Sequence, residues 1–185
     1  MTILHVDSSI TGDASASRAL SSAVVQRLRE AGADAAVEYR DLVADPVAHL
    51  TLDALTGENP DLAQFLAADT VVIGAAMYNF GVPSQLKAWL DRLLIAGQTF
   101  RYTENGPEGL VGDKRVVLAI ARGGLYGAGA PGAALEHTET YLRGVLGFIG
   151  ITDPEVIVAE GLAIDPETRA KAIDATLAEA GRLAA

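Results

Sequence analysis

Two stretches of the chain stay apolar without a break: T-V-V-I-G-A-A at 70–76 and, led by two basic residues, K-R-V-V-L-A-I-A at 114–121. A strand with one wet face alternates, whereas a strand covered on both faces does not, so these two are expected as neighbouring parallel strands at the centre of a sheet. Ile3, Leu4 and Val6 predict a shorter strand at the start, A-A-V-E-Y-R at 35–40 a second, and P-E-V-I-V-A at 154–159 a fifth.

Between the strands the apolar spacing becomes helical. Leu20, Val24, Val25 and Leu28 share one face of a helix expected from about Ser17 to just before Gly32, and Leu86, Trp89, Leu90 and Leu93 do the same in a later one. Pro131 is expected to open a helix with Leu135, Tyr141, Leu142 and Val145 inward, and 166–183 to close the chain with Ala170, Ile173 and Leu177 on its apolar side. Residues 46–67 read as turn and helix with a break at Asn59-Pro60, and 100–110 as a turn-rich excursion or small hairpin.

Five alternations of strand and helix specify a layered α/β domain, with right-handed crossovers and functional loops beyond the carboxyl ends of the strands. No repeat or linker divides it, so 1–185 is expected to be one domain.

Charge and composition then narrow the function. The 24 acidic residues against 14 basic ones give a net charge of −10, and no basic run is long enough to follow a nucleic-acid backbone. With no cysteine there is no disulfide, thiolate nucleophile or iron–sulfur cluster, so redox chemistry would need a bound cofactor. The N-terminus lacks a signal-peptide pattern and the apolar runs are too short for a bilayer, which makes the cytoplasm the expected compartment and a membrane role unexpected.

Three loops follow proposed strand ends. The first, 7–17, presents Ser8, Ser9, Thr11, Ser15 and Ser17 before a helix N-terminus, where backbone N–H groups and hydroxyls hold phosphate; Arg18 adds a charge in the first turn. Turn formation and helix capping account for the same residues.

The second, M-Y-N-F-G-V-P at 77–83, combines the apolar faces of Met77, Tyr78 and Phe80 with the two-sided hydrogen bonding of Asn79, a mixture suited to a flat heteroaromatic ring. Gly81 and Pro83 are expected to shape its turn, and a plain core aromatic cluster is the other reading. In the third, A-R-G-G-L-Y-G at 121–127, Gly123 and Gly124 allow close backbone approach to a ligand, while Arg122 has the choice of a ligand carbonyl or a protein carboxylate.

Several sites are excluded. No G-x-G-x-x-G follows the first strand, and neither a phosphate loop of the G-x-x-x-x-G-K-[ST] type nor a G-x-S-x-G elbow is present. His5, His49 and His137 do not have metal-ligand spacing, and Asp7 at a strand end is a turn cap, a salt-bridge partner or a phospho-acceptor.

The combination of M-Y-N-F at 77–80, S-Q-L-K at 84–87, F-R-Y-T-E-N-G-P-E-G-L at 100–110, A-R-G-G at 121–124 and G-F-I-G-I-T-D at 147–153 closely resembles the bacterial FMN-dependent NADH azoreductases and quinone reductases, over essentially the whole chain. The resemblance implies a flavodoxin-like three-layer sandwich, a five-stranded parallel sheet in the order 2-1-3-4-5, and a homodimer whose active site is completed across the subunit boundary.

It further implies FMN, with phosphate at Ser9, Ser15 and Ser17 and the ring beside Met77, Tyr78, Asn79, Phe80, Arg122, Gly123 and Gly124. Tyr102 and Phe148 match aromatic positions on the substrate side. Ala121 stands where many relatives have serine and Ala16 where some have a longer polar residue, so each removes a side-chain contact. NADH, with NADPH as the alternative donor, is implied to reduce the flavin before a quinone or azo compound takes its place, a ping-pong scheme without a catalytic side chain. A non-catalytic flavodoxin-like electron carrier and a phosphate-responsive signalling or binding domain are the competing readings.

Overall fold

A computed structural model describes residues 1–32 and 35–183. Its strands are β1 (Thr2–Asp7), β2 (Ala36–Asp41), β3 (Thr70–Ala76), β4 (Phe100–Thr103), β5 (Gly106–Gly109), β6 (Arg115–Ala121) and β7 (Glu155–Ala159). Five of them form one parallel sheet in the order β2-β1-β3-β6-β7, and β4 and β5 form a separate antiparallel hairpin. With the hairpin set aside, this is the expected 2-1-3-4-5 order.

The two uninterrupted apolar runs pair as predicted, from Thr70 opposite Arg115 to Ala76 opposite Ala121. Every residue of β3 is buried, because helices cover both faces. At the edge, β2 is largely exposed, consistent with its mixed sequence A-V-E-Y-R-D.

The helices are α1 (Ala16–Ala31), α2 (Pro60–Ala67), α3 (Ser84–Leu93), α4 (Thr138–Phe148) and α5 (Pro166–Ala180). One face of the sheet packs on α1 and α5, through Ile3, Leu20, Val24, Leu28, Val72 and Val117. The other packs on the remaining three, and there Leu86, Trp89, Leu90 and Leu93 of α3 are all fully buried. Burying each such leucine contributes about 1.5–3 kcal/mol, and Trp89 meets Phe65 of α2 edge-on, with ring centroids 6.1 Å apart.

Two helix starts and one helix face differ from the sequence expectation. Ser15, rather than Ser17, caps α1, its Oγ accepting from Arg18 N at 3.3 Å. α4 begins at Thr138, well after Pro131, because the Glu136 carboxylate takes the Thr138, Glu139 and Thr140 N–H groups at 2.9, 2.8 and 3.1 Å. Leu135 therefore lies before the helix and is 45% exposed. In α5 the inward positions are Thr176 and Ala180, with Ile173 and Leu177 half-buried and Ala170 exposed.

Candidate active site

The carboxyl ends of β1, β3 and β6 converge, and hydrogen bonds tie the three loops beyond them together. Ser8 Oγ donates to Gly74 O at 2.9 Å, joining β1 to β3, and Met77 N donates to Ala121 O at 2.8 Å, joining β3 to β6. Ser9 Oγ and the Tyr78 hydroxyl lie 3.0 Å apart, and Ile10 N donates to that same hydroxyl at 3.2 Å. Tyr78 is thus more than an apolar face: its phenol is a strut between the first loop and the second.

The turn of the second loop differs from the expected one. Tyr78 and Gly81 exchange backbone hydrogen bonds of 3.0 and 3.1 Å, and the two residues between them, Asn79 and Phe80, have φ of 49° and 71°. Two successive positive φ values define a type I′ turn, so the left-handed positions are Asn79 and Phe80, and Gly81 is not one of them. Asparagine tolerates this region, but phenylalanine is strained in it by about 1–3 kcal/mol. The turn is held from outside, where His137 N donates to Phe80 O at 3.1 Å.

Beside this turn lies a cleft of about 830 Å³, lined by Met77, Tyr78 and Asn79 together with Ile10, Lys87, His137 and Tyr141. Phe80 is not in the lining; 43% exposed, it sets its ring edge-on to Tyr126 at 6.2 Å. Desolvation opposes the charge on Lys87, yet Asp91 and Tyr141 together hold its ammonium pKa above the ordinary value. The lysine therefore keeps a positive charge at the wall of the cleft. Sequence reasoning gave no site role to Lys87 or His137, and to Tyr141 only a place on the inward face of its helix. The spacing from Ser84 to Lys87 and from His137 to Tyr141 places each pair on one side of its helix start, but only the tertiary fold brings the two pairs to one cleft.

The serines of the first loop are deeply placed. Ser9 is 1% exposed and Ser17 fully buried, and Ser15 Oγ lies 3.1 Å from Ser17 Oγ at the start of α1. First-turn N–H groups have no acceptor within their own helix, and the Ser15 cap takes the one from Arg18. Hydroxyls and N–H groups around a helix N-terminus make a donor set that fits a phosphate, while the adjacent apolar cleft with Asn79 at its wall fits a ring with a polar edge.

Arg122 chooses protein. Its guanidinium is buried and reaches Glu160 and Glu139 at 2.8 Å and Glu136 at 3.2 Å. What the third loop offers a ligand is therefore backbone and not this side chain. The Arg122, Gly123 and Gly124 carbonyls accept from Leu162, Ala163 and Gly161 at 3.1, 2.8 and 3.0 Å, which holds the loop beside the end of β7.

Tyr102 and Phe148 lie apart from the cleft lining and each meets Phe100, with ring centroids 5.5 and 4.6 Å from it. Tyr102 is 74% exposed on the hairpin. Asp7 is closed off: only 1% exposed, it accepts from Ser21 Oγ at 2.8 Å and from the Tyr39 hydroxyl at 3.1 Å, so it has no oxygen open to a phosphoryl donor. Among the described residues no cluster of metal-ligating side chains occurs and no helix is long and apolar enough to cross a membrane.

A parallel sheet in this order, with hydroxyl-rich and aromatic loops at the switch between β1 and β3, defines a flavodoxin-like nucleotide-binding protein. The flavodoxin-like fold family matches residues 1–183. The chain is 55% identical to FMN-dependent NADH:quinone oxidoreductase 2 of Bradyrhizobium diazoefficiens and 53% identical to an FMN-dependent NADH:quinone oxidoreductase of Xanthomonas campestris, covering 100% and 97% of both chains, respectively. Among solved structures it superposes on an azoreductase from Bacillus anthracis with a TM-score of 0.91 and 30% identity, covering 99% of this chain and 98% of that one. A second Bacillus anthracis structure, an FMN-dependent NADH-azoreductase in complex with FMN, has a TM-score of 0.85 and 26% identity with full coverage of both. The chain belongs to the flavodoxin-like family of FMN-dependent NADH:quinone oxidoreductases and azoreductases.

Proposed function

We propose that this protein transfers two electrons from NADH, through bound FMN, to quinones and aromatic azo compounds. The observation that carries the reading is the continuity of a hydroxyl-lined helix start with an apolar cleft, joined through the Ser9–Tyr78 contact. Phosphate falls to Ser9, Ser15, Ser17 and the N–H groups of the first turn, including that of Ala16, whose methyl side chain adds nothing. Met77, Asn79 and the backbone at Gly123 and Gly124 border the ring, with Tyr78 and Phe80 shaping the turn that presents them.

FMN, when bound, supplies the hydride chemistry. The chain holds the reactants in register, and the apolar wall of Met77 and Ile10 excludes water from the contact. Lys87, kept protonated by Asp91 and Tyr141, stabilises negative charge developing on an acceptor in the cleft.

The homodimer belongs to the same reading. Tyr102 is exposed on a hairpin that packs rigidly on its own subunit, which suits an aromatic offered to a partner's cleft, with Phe100 and Phe148 as its backing. One domain over 1–185, working in the cytoplasm, completes the proposal.

The test is anaerobic. Protein reconstituted with FMN should bleach at its flavin absorbance on adding NADH and recover when a quinone is added. An absorbance unmoved by NADH would reject the reductase and leave an electron carrier.

A further inference from the structure

We propose that Arg18 governs the affinity for the FMN phosphate without touching it, as a positioning residue that clamps the backbone of the serine loop and is itself held by Asp41. The inference rests on the reading of that loop as the phosphate site. Arginine in the first turn of a helix behind a serine loop would ordinarily be taken as the cation that meets the phosphate. The geometry assigns it elsewhere.

A guanidinium has five N–H donors, and all five are occupied. Nε and one NH2 donor go to Ser9 O at 3.2 and 2.9 Å, the other NH2 donor goes to Asp41 Oδ1 at 2.8 Å, and NH1 donates to Asp41 Oδ2 at 2.8 Å and to the Tyr39 hydroxyl at 2.9 Å. No donor remains for a phosphate oxygen. The bidentate contact with Asp41 also offsets the charge, so the pull on an anion falls to hydroxyls and N–H groups.

The fork grips the carbonyl of Ser9, whose Oγ lies 3.0 Å from both Thr11 Oγ1 and the Tyr78 hydroxyl. Holding that carbonyl orients the peptide that follows it, whose N–H is the Ile10 donor to Tyr78. The far end of the fork is anchored in turn. Asp41 closes β2 and accepts from Val43 N at 2.9 Å, while the Tyr39 hydroxyl donates a hydrogen bond to buried Asp7 at 3.1 Å. The edge strand thereby sets the position of the loop through one side chain.

Direct contact and positioning predict opposite outcomes for Asp41→Asn. The amide oxygen can keep the Val43 cap, while the NH2 group turns a donor toward the guanidinium. If Arg18 were a phosphate ligand, releasing it would tighten FMN. If it is a clamp, releasing it loosens the loop and weakens FMN. Apoprotein is titrated separately with FMN and with riboflavin, following quenching of flavin fluorescence, for wild type, Asp41→Asn and Arg18→Lys. Lysine keeps the charge and loses the fork, and near-ultraviolet circular dichroism of each apoprotein confirms the fold.

The expected result is a loss of FMN affinity of about tenfold in both variants, with riboflavin affinity unchanged. FMN bound by Asp41→Asn as tightly as by wild type or tighter, wild-type FMN affinity in Arg18→Lys, or equal losses for FMN and riboflavin would each overturn the clamp. Wild type that binds FMN no better than riboflavin would overturn the phosphate site itself, and the clamp with it.

Discussion

Gly109 and Gly150 meet backbone to backbone: a Cβ built on Gly109 would fall 2.1 Å from Gly150 N, and Gly150 itself has a φ of 106°. Gly109 belongs to the hairpin motif at 100–110 and Gly150 to G-F-I-G-I-T-D, so two motifs 41 positions apart are the two sides of one contact. Val111 N donates to Ile149 O at 3.0 Å alongside it. The contact is what holds the hairpin, and Tyr102 on it, against the end of α4.

Gly109→Ala is expected to destabilise the apoprotein by about 3 kcal/mol, at the upper end of overpacking costs, because the obstacle is backbone and cannot rotate away. Urea unfolding followed by the emission of the single tryptophan, Trp89, measures this. The hairpin should also become the first site of limited proteolysis, and an unchanged unfolding midpoint would contradict the packing argument.

Tyr78→Phe removes the hydroxyl between Ser9 Oγ and Ile10 N and leaves the ring in place. Stability should fall by about 0.5–1.5 kcal/mol, the net value of a typical hydrogen bond. FMN affinity should fall several-fold more than riboflavin affinity, since the loss is at the loop proposed to hold the phosphate. Flavin titration of the variant decides it.

For Arg122→Met the expectation is a loss of about 3 kcal/mol, because Glu136 and Glu160 would lose their cation and Glu139 would keep only Arg143. Carboxylates left together have raised pKa values, so the deficit against wild type should shrink as pH falls from 7 toward 4. A deficit that grew with acidity would place the damage elsewhere.

The pair of Arg18 and Asp41 carries a pH dependence of the opposite sign. Hydrogen bonding from Arg18 lowers the Asp41 pKa from 3.8 to about 2. Between those values the unfolded chain binds the proton and the folded protein does not, so the stability this pair contributes is present above about pH 4 and lost as pH falls through 2. The difference in unfolding free energy between wild type and Asp41→Asn should therefore be constant from pH 7 to 5 and close toward pH 2. Chemical unfolding at each pH measures it.

The central strands were legible because burial on both faces removes the need for alternation, and 70–76 and 114–121 show nothing else. α4 was less legible: Pro131 is a common helix opener, but a carboxylate at Glu136 gathers three N–H groups and starts the helix later. At the site, M-Y-N-F announced itself by composition, yet nothing in it distinguishes Tyr78 as a strut from Tyr78 as a ring face. That depends on Ser9, 69 residues away.

The sequence alone determined the fold class and the succession of five main strands and the loops that follow them, since periodicity and local turn chemistry are properties of neighbouring residues; the order of those strands in the sheet came with the family resemblance. Tertiary structure alone decided which of those residues have free hands. Arg18 read as a cation beside an anion site and Arg122 as a choice between a ligand carbonyl and a protein carboxylate, and each is consumed by carboxylates from elsewhere in the fold, at Asp41 and at Glu160. Lys87, given no site role by the sequence, stands at the wall of the cleft, protonated and paired with Asp91 of its own helix. The reason is physical: a charge is available or spent according to its partners, and these partners come from strands and helices that only the folded sheet brings within hydrogen-bond distance.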